Sequence, residues 1–213
     1  MTKYLIIGDI HGVFYKLQQF EHLFQTVDKV IFCGDYVDRG PQQLDVLTYI
    51  LNIPNATLLS GNHEWKYFKK IKKGHKPHPK EIPPEKADEF CELLVKVVGE
   101  RSVFCYKDEN LGVSHAPAAY WQHDWNLVPF DKFAYGWSVP NEKDEKGFPK
   151  RIPLHEKYPG EVSQKPVIFG HIHSDKIEIG ENLYCVDLKC GEENGRLGGV
   201  IFENSTLVDK IEI

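Results

Sequence analysis

The chain predicts an α/β fold: a parallel sheet flanked by helices, with a second sheet stacked against it. Three observations carry this. Short apolar runs (Tyr4 to Ile7, Val30 to Cys33, Ala56 to Leu59, Leu111 to Val113, Val167 to Phe169) read as buried strands. Gly8, Gly34 and Gly61 follow three of these runs at intervals of 26 and 27 residues, close to the roughly 30 residues of a strand-helix-strand unit. Beyond Lys176, short stretches alternate apolar and polar residues, the pattern of half-buried strands.

After the first strand, Val13, Phe14, Leu17, Phe20, Leu23 and Phe24 recur at three- and four-residue steps, the stripe of an amphipathic helix. Pro41 suits the first turn of a second helix carrying Leu44, Leu47, Ile50 and Leu51, and Pro54 closes it before the third strand. Lysine, histidine and proline dominate from Trp65 to Pro84. Glu85 to Val98 then reads as a helix with Phe90, Leu93, Leu94 and Val97 on one face, so 65–99 is expected to be a helical excursion from the core. Residues 117–165, rich in aromatics, charges and proline, read as a partly irregular cap insertion. Ile177 to Ile179, Leu183 to Val186, Gly198 to Phe202 and Thr206 to Ile211 are expected to form the second, mainly antiparallel sheet.

With 213 residues and 41% hydrophobic content, the chain 1–213 is read as a single domain with these two additions. A net charge of -5 gives no sign of a general affinity for nucleic acid or membrane surfaces, so any such affinity must be local. Met1-Thr2-Lys3 leads directly into the first strand without a signal-like apolar segment, and no apolar run could span a membrane, so a cytoplasmic protein without a membrane partner is expected. Five cysteines without Cys-x-x-Cys spacing fit reduced, packed thiols.

Chemistry gathers directly after the strands: Gly8-Asp9-Ile10-His11-Gly12, Gly34-Asp35-Tyr36-Val37-Asp38-Arg39-Gly40, Gly61-Asn62-His63-Glu64, Ser114-His115-Ala116 and Gly170-His171-Ile172-His173. Sites collect at the carboxyl edge of such sheets. Carboxylates, imidazoles and a carboxamide without cysteine suit hard or borderline divalent ions rather than a thiolate zinc site. Asp35 is the natural bridge, because one carboxylate can serve two ions about 3.5 to 4 Å apart. Asp9 and His11 are assigned to one ion, and Asn62, His115 and His171 to the other. Water or hydroxide between the ions is the expected nucleophile toward phosphorus. His63 is the candidate acid for the leaving oxygen, Asp38 its partner, and Arg39 the fork that binds phosphoryl oxygens.

This motif series resembles the calcineurin-like metallophosphoesterases, and its Gly34 to Gly40 and Gly61 to Glu64 forms are most similar to the serine/threonine protein phosphatase branch. The resemblance covers residues 3 to about 64, Val113 to Ala116, Val167 to His173 and Val186 to Gly199, with Val186-Asp187, Cys190-Gly191 and Gly195-Arg196-Leu197 matching the closing segment. It implies a four-layer α/β/β/α sandwich of two mixed sheets flanked by helices. It also implies two divalent ions (Mn, Fe or Zn, with Mn the first choice for activity in vitro) held by Asp9, His11, Asp35, Asn62, His115 and His171. His63, Asp38 and Arg39 keep the roles given above. His173 stands where the wider family has a further metal ligand. Ser60 replaces an arginine common in the branch, and Arg151 is a candidate for a second phosphate-binding arginine.

The expected activity is hydrolysis of phosphomonoesters, with a phosphoprotein as first substrate. A nucleotide or RNA phosphate (diadenosine tetraphosphate or a 2',3'-cyclic phosphate) is the alternative, and a non-catalytic scaffold the second alternative. Asp187 either bonds a ligand imidazole such as His11 or caps a turn. Lys66, Lys69, Lys70, Lys72, Lys73, Lys76 and Lys80 form a solvated face or a polyanion-binding arm, the solvated face being favoured. Trp121, Trp125 and Trp137 pack the cap or stack on a base, with packing favoured. His75 and His78 are read as surface residues.

Overall fold

The computed structural model describes residues 1–117, 125–145, 147–151 and 163–213. The strands are β1 (Lys3–Ile7), β2 (Lys29–Phe32), β3 (Ala56–Leu59), β4 (Ser102–Val103), β5 (Cys105–Lys107), β6 (Gly112–Ser114), β7 (Ser138–Lys143), β8 (Pro149–Arg151), β9 (Val167–Phe169), β10 (Glu178–Gly180), β11 (Leu183–Cys185), β12 (Gly198–Glu203) and β13 (Thr206–Glu212). The α-helices are α1 (Phe14–Leu17), α2 (Gln43–Leu51), α3 (Asn62–Ile71), α4 (Ala87–Leu94) and α5 (Phe130–Tyr135).

A six-stranded sheet runs β13-β12-β1-β2-β3-β4 and a five-stranded sheet β10-β11-β9-β6-β5, while β7 and β8 form a separate hairpin. In the larger sheet, β1 to β4 are parallel and β12 and β13 close one edge antiparallel. In the smaller one, β11, β9 and β6 are parallel, with antiparallel β10 and β5 outside them. This corrects the expected second sheet: β12 and β13 complete the first sheet, and the second is mixed. Alternation alone shows that a strand is half-buried, not which neighbour it takes.

Side-chain alternation builds the layers. Leu5, Ile7, Val30, Phe32 and Leu58 face the helices, where they meet Leu17, Val46, Leu47, Ile50, Phe90, Leu94 and Val97. Tyr4, Ile6, Ile31, Cys33 and Leu59 point the other way and meet Leu111, Val113, Ile168, Tyr184 and Val186 of the second sheet. Strands covered on both faces read as unbroken apolar runs, which is why they were visible in the sequence. On the outer face of the second sheet, Trp125 lies against Gly112 and α5 follows, bonding the Ala116 amide through the Phe133 carbonyl at 2.7 Å.

The stretch expected to be an excursion belongs to the core in its second half. Phe90, Leu94 and Val97 are fully buried, and burying such a side chain contributes about 1.5 to 3 kcal/mol. The amphipathic face was legible, but a helix joined through a proline-rich loop gives no sign of where it docks. The helix after β1 is also shorter than its stripe suggests, passing after α1 into a 3-10 turn, Gln18–Leu23. All five cysteines are free thiols. Among the described residues no helix is long and apolar enough to cross a membrane.

Candidate metal centre

The parallel strands β1, β2, β3, β6 and β9 end at one edge, and the five polar motifs converge there. Two groups of side chains bring ligand atoms within 4.8 Å of one another: His11, Asp35 and His63, and Asp35, His115 and His171. Asp35 belongs to both. His11 Nδ1–H donates to the Val37 carbonyl (2.8 Å) and His115 Nδ1–H to the Cys33 carbonyl (2.8 Å), so each ring turns an unprotonated Nε2 inward. His11 Nε2 lies 3.8 Å from Asp35 Oδ2. His115 Nε2 lies 3.0 Å from Asn62 Oδ1 and 3.5 Å from Asp35 Oδ1. A lone pair facing two oxygen acceptors is repulsive until a cation stands among them. His171 Nε2 is buried and has no hydrogen-bond partner among the described residues.

Electrostatics agree with a cation site. Burial lowers the pKa of His11 to about 4 and also lowers those of His115 and His171, leaving neutral rings able to coordinate. Burial works against the Asp35 carboxylate, but the surrounding imidazoles, His115 foremost, hold it below the usual carboxylate range. Asp9 is raised well above its ordinary value by burial, then by the Asp187 and Asp35 carboxylates. Three buried carboxylates this close favour positive charge between them. Asp9 lies outside both compact groups, and its Oδ2 accepts the His171 amide at 3.0 Å.

The backbone is shaped to bring these groups together. His11, Asp35, Asp38, Arg39 and His171 all have φ between 48° and 72°, a left-handed conformation that costs an ordinary residue about 1 kcal/mol or more. Two glycines permit contacts no other residue could. A Cβ on Gly61 would lie 2.1 Å from Asp35 Oδ1, and one on Gly170 would lie 1.9 Å from Asp9 Oδ1.

Sequence reasoning quoted Glu64 in its motif without giving it a task. It is fully buried, and its carboxylate accepts the amides of Asp35 (2.9 Å), Tyr36 (2.7 Å), Val37 (3.2 Å) and Gly61 (3.1 Å). It thereby ties the loop after β2 to the start of α3. Burial and the Asp35 charge push its pKa up to about 8, against the pull of His63 and of the amides. Gln43 does similar work, accepting the Asp38 amide (3.0 Å) and donating to the Gly40 carbonyl (3.0 Å).

His63 and Asp38 form the expected couple, with Nδ1 and Oδ2 2.5 Å apart and Nε2 turned toward Asp35 Oδ2 at 3.8 Å. Burial disfavours the imidazolium, but Asp35 and then Asp38 outweigh it and raise the His63 pKa. Two further groups hold Asp38: Tyr67 OH donates to Oδ1 (2.6 Å) and Lys66 Nζ to Oδ2 (3.1 Å). Tyr67 stands four residues beyond His63, the spacing of one helix face, and that was the available signal.

His173 is not drawn into either compact group. Its ring meets Arg39 Nη2 (3.3 Å), Asp187 Oδ2 (3.7 Å) and Glu192 Oε1 (3.7 Å), because the chain turns outward after His171. Arg39 Nη1 pairs with Glu192 Oε1 at 3.1 Å. Asp187 caps a turn through the Lys189 amide (2.9 Å), and His11 bonds Val37 instead. Arg151, at the end of β8, directs Nη1 at the His171 carbonyl (3.4 Å); burial lowers its pKa, against the pull of Asp187, Asp35, Asp144 and Asp9. Several lysines have local partners: Lys69 with Tyr135 OH, Lys76 with Asp88 and Lys80 with Glu81. Trp125 and Trp137 pack with Val128 and Phe133, and Trp121 lies outside the described residues. His78 Nδ1 bonds the Pro79 carbonyl.

Two sheets between helices, with imidazoles and carboxylates from five strand ends meeting on one shared aspartate, define the architecture of a metallophosphoesterase. The chain belongs to the calcineurin-like phosphoesterase family, whose model matches residues 2–175. It is 47% identical over 62 residues to serine/threonine-protein phosphatase 2 of Escherichia coli K12, a match covering 28% of each chain. It is 39% identical over 62 residues to the symmetrical bis(5'-nucleosyl)-tetraphosphatase of Coxiella burnetii, covering 28% of this chain and 21% of that one. The matches therefore span less than a third of these curated relatives. A crystal structure provisionally assigned as a diadenosine tetraphosphatase superposes with a TM-score of 0.70 at 18% identity, covering 99% of this chain and 93% of the other. This last likeness concerns the fold alone.

Proposed function

We propose that the protein is a metal-dependent phosphoric ester hydrolase that cleaves phosphomonoesters. The observation that carries this reading is the Asp35 carboxylate shared by two groups of lone-pair donors. Asp9, His11 and Asp35 would hold one divalent ion, and Asp35, Asn62, His115 and His171 the other, with manganese the first choice for activity in vitro. When bound, the pair of ions supplies an activated water and neutralises phosphate charge. His63 is kept out of the ligand set because its Nδ1 is committed to Asp38 and its raised pKa favours a proton donor. His173 is not proposed as a ligand.

The chain's own residues account for the remaining tasks. Arg39, and Arg151 at the His171 carbonyl, bind the phosphoryl oxygens and turn the ester toward the centre. His63 holds a proton at Nε2 and delivers it to the leaving oxygen, while Asp38 fixes the ring. Glu64 and Gln43 hold the loop carrying Asp35, Asp38 and Arg39 by its amides and a carbonyl.

We take a phosphoprotein as the first substrate to test. A nucleotide polyphosphate is a second reading, favoured by Lys66 beside the acid couple. A manganese-supplemented comparison of a phosphopeptide, diadenosine tetraphosphate, p-nitrophenyl phosphate and a cyclic nucleotide tests both. Turnover of at least one is expected. Metal binding without any turnover would instead support the scaffold alternative.

A further inference from the structure

We infer, resting on the phosphoesterase reading above, that Lys66 is a specificity-determining residue. It favours leaving groups that carry negative charge next to the scissile bond, as the phosphoanhydride of a nucleoside polyphosphate does. His63, Lys66 and Tyr67 stand at positions i, i+3 and i+4 of α3 and therefore share one face. All three meet the Asp38 carboxylate: His63 Nδ1 and Lys66 Nζ at Oδ2, Tyr67 OH at Oδ1. The Lys66 ammonium also rests 4.5 Å from the centroid of the Tyr67 ring, so it is steered to this spot by two neighbours. Its side chain stays 49% exposed, which leaves donor positions open toward the rim. Lys69 of the same helix is directed to Tyr135, and Lys72, just past its end, over Phe68.

Geometry shows what this placement does. Lys66 Nζ stands 3.1 Å from the same Asp38 oxygen that holds His63 Nδ1, so a leaving group that faces His63 also faces an ammonium donor. A neutral alcohol gains little from that donor, whereas an anionic nucleotide gains a charge-assisted contact. In anhydride cleavage, water oxygen bonds to phosphorus and the bridging P–O bond breaks. The departing nucleoside phosphate takes the electron pair, and the water proton passes to solvent. No strong acid is needed, so binding of leaving-group charge counts for more than protonation.

The test compares manganese-loaded wild type, Lys66→Met and Lys66→Arg on diadenosine tetraphosphate, a phosphoserine peptide and p-nitrophenyl phosphate, with thermal midpoints as a check on folding. Lys66→Met should lower kcat/KM for the tetraphosphate about tenfold more than for p-nitrophenyl phosphate, the scale of one charge-assisted contact. Lys66→Arg should restore most of that ratio. Calorimetry should show ADP binding weakened by a similar factor in Lys66→Met alone. An unchanged ratio overturns the inference. So does a loss on the phosphoserine peptide as large as that on the tetraphosphate with p-nitrophenyl phosphate spared, because Lys66 would then act only through Asp38 and the acid. A wild-type protein that binds metal yet hydrolyses none of the three overturns the phosphoesterase reading itself, and this inference with it.

Discussion

Asp35 accepts the His63 amide through Oδ1 (3.0 Å) and lies within 4 Å of three imidazoles, so its charge serves the structure as well as the site. Asp35→Asn removes that charge while keeping the shape. Turnover should fall at least a thousandfold and at least one ion should be lost, as measured by metal analysis after gel filtration. A variant retaining two ions and normal activity would remove the bridging role. His63→Asn should keep both ions and slow alkyl phosphates on the order of a hundredfold, with p-nitrophenyl phosphate affected far less because its leaving group scarcely needs a proton. Equal losses on both substrates would argue against His63 as the acid. At this scale the sequence was informative: ten candidate residues were named from five motifs, and the structure brings His11, Asp35, Asp38, Asn62, His63, His115 and His171 side by side. Asp9 stands outside the compact groups at the His171 amide, and Arg39 and His173 meet each other and Glu192. Glu64, Gln43 and Tyr67 escaped because their work is done on backbone amides and on another side chain, and no spacing announces such partners.

Helix α3 carries His63, the proposed acid, at its first turn and lysines along its length. Lys69 leans on Tyr135 of α5 and Lys72 folds back over Phe68 of α3 itself, so two of these lysines already have local partners. Replacing Lys69, Lys70, Lys72 and Lys73 with glutamine should therefore change KM for a nucleotide substrate by less than about threefold, since exposed charges are well screened at physiological salt. A rise in KM of tenfold or more, mimicked by added salt, would instead make this face a polyanion arm. Elements with a regular period were legible in the sequence, and boundaries fell within a few residues for β1, β2, β3 and β9. Docking was not legible: α4 lies in the main core and β12 beside β1, because a period shows which face is buried but not what covers it.

In the whole molecule, a polar clasp joins the two sheets at the edge opposite the metal centre. Asp108 accepts hydroxyls from Tyr4 (2.8 Å) on β1 and Tyr106 (2.5 Å) on β5, as well as the amides of Asn110 and Leu111, with Lys29 of β2 at 3.6 Å. Burial would raise its pKa, but the Tyr106 hydroxyl and then the other donors hold it below its ordinary value of 3.8. A depressed carboxyl stabilises the fold fully above that value, and the contribution is lost as pH falls through the lower folded pKa. Asp108→Asn should cost about 1 to 3 kcal/mol in urea unfolding near neutral pH, with the difference from wild type narrowing in acid and kcat unchanged. A difference that does not vary with pH would mean that charge is not what the clasp uses.

This clasp gives the sandwich the mechanics of a book fastened at both ends. One fastening is made of phenols, a lysine and a carboxylate at the start of the strands. The other joins residues as distant in sequence as Asp9 and His171, whose amide the Asp9 carboxylate accepts at 3.0 Å, and would be tightened by divalent ions. Removing such ions with a chelator should loosen the second fastening and leave the first intact, so hydrogen exchange in chelator should quicken at the strand ends around Gly34, Gly61 and Gly170 while the amides of Asn110 and Leu111 keep their protection. The molecule would then open from one side only, about a hinge at Asp108.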